Sequence, residues 1–253
     1  MSLQYSDTVT RRGIIQTIEK NCGFNPGDIT NNTTLLQDFT ADVNLALDKA
    51  LAIVIPASGK WHIDDSNFTD YPEITHDLNA NQRDYSFTAD GSGNIILDVY
   101  RVMVADQSGV FHEIYPVDQQ ATTKKQGNAE DTGSFIDGLN ASGVPTRYAK
   151  TANGIFLDVI PNYTIIGGLK VFIDREPSYF TVNDTTKKPG FAGIFHEYLA
   201  LRPSFQYAYR NGFNSVKALQ SEMLTMERDM LNYYSQRDKD TPKRLIANVE
   251  NNK

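Results

Sequence analysis

The sequence predicts an α+β protein in which N- and C-terminal helices form one helical bundle and an antiparallel β-sandwich or barrel domain is inserted between them. Three observations point there. Apolar residues recur at helical spacing near both ends of the 253-residue chain. The period changes in the middle to short alternating, β-branched runs. Turn residues separate those runs at short intervals, which suits hairpins better than a parallel sheet with helical crossovers. The expected organisation is residues 1–60 as the first part of the bundle and 61–190 as the β-insertion. Residues 191–236 would form the second part of the bundle, and 237–253 a C-terminal arm.

The first helix is expected over Arg11 to Asn21, where Ile14, Ile15 and Ile18 share a face and Gly23 supplies a stop. Asn25-Pro26-Gly27-Asp28 then turns the chain. From Leu35 to Ile55 a stripe of Leu35, Leu36, Phe39, Val43, Ala46, Leu47, Ala50, Leu51 and Val54 predicts a long helix. Thr33 or Thr34 would cap its start, and Pro56 with Gly59 would end it.

In the middle, Tyr85 to Thr88 alternates, Ala89-Asp90-Gly91-Ser92-Gly93 is a turn, and Asn94 to Ala105 reads as a buried strand. Ser108-Gly109 leads into a strand over Val110 to Pro116. Asn153-Gly154 joins Arg147 to Lys150 and Ile155 to Ile160 as a hairpin, and Leu169 to Arg175 is a further strand. The polar stretch 119–143 reads as a long loop. Phe195 to Arg210 and Ser215 to Gln236 complete the helices, separated by Asn211-Gly212. The latter carries Leu219, Met223, Met226, Met230 and Tyr233 on one face. Neither helical pair buries its stripe alone, so the two are expected to pack together.

Composition narrows the function classes. Apolar residues at 40% and charged residues at 22% are those of a soluble globular protein, and no apolar run approaches membrane-spanning length. The first twelve residues reach Arg11 and Arg12 without an apolar stretch, so no secretory signal is expected there. With Cys22 as the single cysteine there is no internal disulfide framework and no cysteine-based zinc site, and synthesis in a reducing compartment is expected. The net charge of −7 is concentrated in residues 61–190, which carry −8 against −1 before and +2 after. That balance argues against wrapping nucleic acid, which needs clustered cations.

Little in the sequence points to catalysis, and no enzyme activity, cofactor or metal is expected. His62, His76, His112 and His196 are far apart, and His196-Glu197 lacks the second histidine of a zinc helix. His62 reads as a strand residue beside Trp61. Asp64, Asp65 and Asp70 lack the spacing of a calcium loop. There is no nucleophile elbow or P-loop, and Cys22 has no histidine partner in the pattern. The methionine stripe reads as core or a subunit seam rather than a binding groove. The C-terminal arm is the candidate binding element. Arg237, Lys239, Lys243 and Arg244 would set register on a partner, and Leu245 and Ile246 would anchor it.

A set of motifs is more specific. Gly143-Val144-Pro145-Thr146-Arg147-Tyr148 precedes a short strand, Ile155 runs to Pro161, and Leu169 to Arg175 is followed by Pro177. Phe180-Thr181, Pro189-Gly190 and a helix opening at Phe195-His196 complete the order. This arrangement resembles the head–tail connector (adaptor, or tail tubular) proteins of tailed bacteriophages, most sharply over residues 143–198. Arg11 and Arg12 on the first helix, the long helix at 35–55 and Trp61 also fit. The 119–143 loop is longer than the pattern.

The resemblance implies a virion structural protein made in the host bacterial cytoplasm. It would form a homo-oligomeric ring of about twelve copies beneath the portal protein. The ring would offer a platform to the next neck or tail protein, and DNA would pass through its channel without specific binding. No membrane is involved, and the family brings no catalytic residues. Portal contact through the C-terminal extension is also implied. Alternatives are another neck or tail part (stopper, tail completion or baseplate), and a carbohydrate-binding β-sandwich with Trp61 as a stacking platform.

Overall fold

A computed structural model describes residues 2–58, 73–117 and 141–237. Trp61, His62, Asp64, Asp65, Asp70 and nearly all of the 119–143 stretch lie outside the described residues. The described residues form two compact units, 2–58 with 180–237, and 73–117 with 141–179.

In the first unit, α1 spans Ile14–Cys22 and buries Ile14, Ile15 and Ile18. Gly23 ends it at φ 76°, a left-handed position that suits glycine. α2 spans Thr33–Ser58 and buries the predicted stripe from Phe39 to Val54. Its cap is Asn32, whose Oδ1 accepts the Leu35 N–H at 3.1 Å, so the threonines lie just inside the helix. Pro56 does not stop it; the helix continues through Pro56 to Ser58. A 3-10 turn, Gly193–Phe195, precedes α3, Tyr198–Arg210, and α4 spans Val216–Arg237. α3 packs on α1, α2 and α4, and α2 packs on α4.

Three sets of contacts hold this unit, the first two between segments distant in sequence and the third local. The Asn44 amide on α2 donates to Phe180 O and accepts from Phe180 N–H, both at 2.9 Å, as one rung of a ladder. Tyr5 stacks on the Phe180 ring, with 5.0 Å between centroids, and donates its hydroxyl to Thr40. Glu19 is fully buried, yet its Oε1 accepts the N–H groups of Gly27 and Ile29 and its Oε2 meets Arg11 at 3.2 Å. Such partners offset the cost of burying a carboxyl group.

The second unit holds β1 (Glu73–Leu78), β2 (Asp84–Ser86), β3 (Ile96–Ala105), β4 (Phe111–Pro116), β5 (Arg147–Thr151), β6 (Gly154–Leu157) and β7 (Ile165–Arg175). They form one seven-stranded sheet in the order β1-β7-β3-β4-β5-β6-β2. All neighbours are antiparallel except β4 and β5. β2 is last in this order, yet the Asp90–Gly93 turn leads directly from it towards β3, the third strand. Ile96 N–H bonds back to Thr88 O at 3.0 Å. The sheet therefore curls into a half-barrel around Leu78, Val102, Val104, Tyr148, Ile155, Leu157, Leu169 and Val171. The hairpin of β5 and β6 turns at Ala152-Asn153, one residue earlier than the expected Asn-Gly turn, and Gly154 opens β6, where an added Cβ would lie 2.1 Å from Tyr85 O.

This corrects the expected fold class. The described residues form four α-helices and a seven-stranded mixed sheet in a half-barrel, rather than N- and C-terminal helices flanking an antiparallel sandwich. The reasons lie in two strands. β5 runs parallel to β4 because the long connection after β4 lets the chain return in the same direction, which hairpin spacing does not foresee. β1, whose Glu73, Thr75 and Asp77 alternate with half-buried Ile74 and His76, pairs with β7 at the sheet edge and carries too little apolar content to read as a strand.

Two buried acids in the sheet are treated differently. Asp158 accepts the Thr146 N–H at 3.0 Å and the Thr146 hydroxyl at 2.7 Å, while the neighbouring Arg83 guanidinium donates to the carbonyls of Leu157 and Asp158. Asp174 is buried with its Oδ1 lacking a hydrogen-bond partner, opposite Asp98 in the β3–β7 register. Burial, with the Asp98 charge added, pushes the Asp174 carboxyl up to about 6, and Lys150, 2.8 Å from Asp98, opposes the shift. A carboxyl that holds its proton more tightly folded than unfolded stabilises the fold at low pH, and that contribution fades as pH rises from about 4 to about 6. Asp174→Asn should therefore match the parent protein near pH 4 and exceed it above pH 6.5, by about 2 kcal/mol. Chemical denaturation at the two pH values measures this difference; an equal offset at both overturns it.

Candidate functional site

Of the predicted partner-binding residues, Arg237 is the last residue of α4, and Lys239, Lys243, Arg244, Leu245 and Ile246 lie outside the described residues. What the structure describes is the helix that presents them. α4 buries Leu219, Met223, Met230 and Tyr234, with Met226 and Glu227 half-buried along the same face. The methionine stripe is thus core packing. Tyr234, four residues beyond Met230, is the buried aromatic, and Tyr233 is partly exposed; continuing the i, i+4 spacing from Met230 picks the right tyrosine.

Two side-chain contacts fix α4. Near its middle, the Tyr198 hydroxyl on α3 donates to Glu227 Oε1 at 2.7 Å. Burial and that carboxylate together raise the phenol well above its ordinary value, so it stays a donor. Near its end, the Tyr234 hydroxyl accepts the Ala192 N–H at 2.9 Å in a fully buried setting. Phe195 packs edge-on against Tyr233 and tilted against Tyr234. The exit of α4 towards residue 238 is therefore held to the segment that opens α3.

His196, the histidine of the Phe-His motif, is buried in that same segment. Its Nε2 lies 2.8 Å from Phe191 O and its Nδ1 accepts the Leu3 N–H at 3.0 Å. The two contacts select the neutral Nε2–H tautomer, and burial lowers the ring below its ordinary value. His196 is thus a strut between the N-terminal segment and the start of α3. Tyr148 of the Gly-x-Pro-x-x-Tyr motif is likewise in the sheet core, and Arg175 pairs with Asp90 at 3.2 Å beneath the turn into β3.

The remaining chemistry-bearing residues are dispersed. His112 meets Asp106 at 2.8 Å on the surface, an interaction that lowers the Asp106 carboxyl to about 2. His76 stacks on Phe87 with its Nε2 buried and without a hydrogen-bond partner. Cys22 is buried, and burial pushes its thiol up to about 11, which leaves it unreactive as a nucleophile. Among the described residues no three His, Cys, Asp or Glu side chains converge to hold a metal ion.

The opposite face of α4 is turned outward. Leu224 and Leu231, seven residues apart, are about half exposed with exposed Lys217 and Arg228 on the same side. Its signal in the sequence is a leucine pair at heptad spacing, obscured by the richer stripe behind it. No protein-family model matches the chain, and no curated protein matches it in sequence.

The Tyr234 hydroxyl gives a direct test of how the exit of α4 is held. Tyr234→Phe removes one oxygen and leaves the Ala192 N–H buried without its acceptor. It should cost about 1–3 kcal/mol in urea denaturation with helical circular dichroism unchanged. A cost below about 0.5 kcal/mol would show that the contact carries no weight.

Proposed function

We propose that this chain is a structural head–tail adaptor of a tailed bacteriophage, a ring-forming subunit that docks beneath the portal and carries the next neck or tail protein. The order of turn, strand and helix residues over 143–198 suggests the family. The observation that carries the reading furthest is the distribution of exposed apolar side chains over the helical unit. Leu45 on α2, Ile194 before α3, Tyr209 at the end of α3, and Leu224 and Leu231 on α4 all lie open in the single chain. A subunit with several distinct neighbours needs such surfaces on more than one side. The motif residues themselves serve packing and turns, which fits a structural part better than a catalyst. In this reading the basic and apolar residues of 237–253, presented from the fixed end of α4, contact the portal.

Native mass spectrometry of the protein, alone and mixed with its cognate portal, tests the proposal. The expected result is a ring near twelve copies bound to the portal, with binding lost when residues 237–253 are deleted. A chain that stays monomeric and ignores the portal overturns the adaptor reading. A truncated chain that still binds overturns the role of the arm alone. Co-purification with a tail or baseplate part instead of the portal would place the subunit elsewhere in the same particle.

A further inference from the structure

The chain holds two Asn-Gly pairs, Asn153-Gly154 and Asn211-Gly212. Asparagine before glycine is prone to lose its side-chain amide. Glycine leaves the next backbone nitrogen unshielded and the chain free to bring it to the side-chain carbon. Both asparagines are exposed, yet the structure holds the two glycine nitrogens differently.

Gly154 is buried and opens β6. It pairs with Thr151 on one side and with Ser86 on the other, so two strands hold it. The carbonyl of Asn153 is pinned as well, accepting the Phe87 N–H at 2.7 Å. Bringing Gly154 N to Asn153 Cγ therefore breaks into the joint of β2, β5 and β6, beside the core residues Tyr85 and Ile155. Gly212 instead is exposed in the turn after α3, with nothing within 4 Å of where a Cβ would stand. In the closed turn Asn211 lies at φ −97° and ψ 1°, and its Nδ2 donates to Tyr207 O at 2.8 Å, which keeps Cγ away from Gly212 N. The restraints there are those of a helix end. Asn211 N–H reaches Tyr207 O at 3.1 Å, Gly212 N–H reaches Tyr209 O at a long 3.3 Å, and Phe213 N–H reaches Ala208 O at 3.0 Å. Helix ends open at far lower cost than paired strands over a core.

We propose that Asn211 is a modification site of the folded protein, losing its side-chain amide through attack by Gly212 N, while Asn153 is spared. The bond from Gly212 N to Asn211 Cγ forms, the bond from Cγ to Nδ2 breaks, and ammonia leaves with the proton given up by Gly212. Water then opens the resulting cyclic imide at either carbonyl. The product is aspartate or, with the main chain routed through the side chain, isoaspartate. Either adds a negative charge at the carbonyl end of α3, where the helix dipole opposes it. Isoaspartate also lengthens the link between α3 and α4 by a carbon. That link joins the helices whose Leu201, Ala208 and Leu219 pack together, so the modification loosens their seam. The inference stands apart from the adaptor reading.

Ageing the full chain in warm, mildly alkaline buffer tests it. Fragment mass spectra assign the sites, and an isoaspartate-specific methyltransferase labels the isoaspartate. The folded protein should react at 211 at least about tenfold faster than at 153. In urea, where neither turn exists, the two sites should react at comparable rates, which makes the fold the cause of the difference. Asn211→Gln, whose longer side chain needs a larger ring, should keep parental circular dichroism and give no product at 211. The aged parent protein should lose thermal midpoint, and Asn211→Gln aged alongside should keep it. Equal rates at the two sites in the folded protein overturn the proposal, as does faster reaction at 153. Reaction at neither site in the folded protein, with both reacting in urea, overturns it too, since the turn after α3 is then as closed as the hairpin.

Discussion

A chain that leaves a helical unit after α2 and returns more than a hundred residues later must be recaptured at a defined point. The Asn44 amide performs that capture. Its two hydrogen bonds satisfy both backbone groups of Phe180, the first residue to rejoin the helical unit. The Phe180 ring then becomes a floor for Tyr5, with the Lys187 ammonium 5.6 Å from its centroid, and Tyr5 N–H bonds to Lys187 O at 2.7 Å. One side chain on α2 thus fixes where the returning segment lies, and the returning segment fixes the N-terminal residues. Those residues in turn supply Gln4 O and Tyr5 O to the first N–H groups of α1, which has no side-chain cap of its own. A single amide orders α2, the return segment and the N-terminal entry to α1.

The acidity of the middle of the chain takes on a different meaning beside the hydrogen bonds. Asp90 Oδ1 accepts the N–H groups of Ser92 and Asn94, and Asp106 Oδ1 accepts those of Ser108 and Val110. Both acids build the tight turns that flank β3, and Asp158 holds Thr146 at the start of β5. A share of the negative charge is therefore consumed in shaping turns through their own backbone, as expected of aspartate in such positions. Asp98 and Asp174 fill no such role, and they are the pair whose electrostatics strain the sheet.

How much was legible in the sequence follows from the range of each interaction. The stripe from Phe39 to Val54, the stop at Gly23 and the hairpin around Asn153 depend on neighbours a few residues away, and the structure contains all three, with the hairpin turning one residue earlier, at Ala152-Asn153. The cap of α2 was displaced by one residue, because Asn32 and Thr33 are both good caps and only packing chooses between them. The fold class failed on the parallel pairing of β4 with β5 and on the edge strand β1, both fixed by partners far away in sequence. At the candidate site, the inward face of α4 was legible from its methionines. The Glu19 acceptor, the Asn44 rung and the His196 strut were not, since each is a lone polar residue whose partners are backbone groups that no spacing reveals.

The hydrogen bond from Leu3 to His196 spans 193 residues. Its consequence lies in the order of events on the ribosome. Every strand of the half-barrel is made before α3, so the sheet is free to form while the chain is still being extended. Tyr5, whose carbonyl receives the Ile15 N–H at the start of α1, itself bonds to Lys187 O, so its setting waits for a segment made long after α1. The contacts that close the helical unit thus span a longer stretch of sequence than those of the sheet, and contacts of that range carry the larger loop-closure cost.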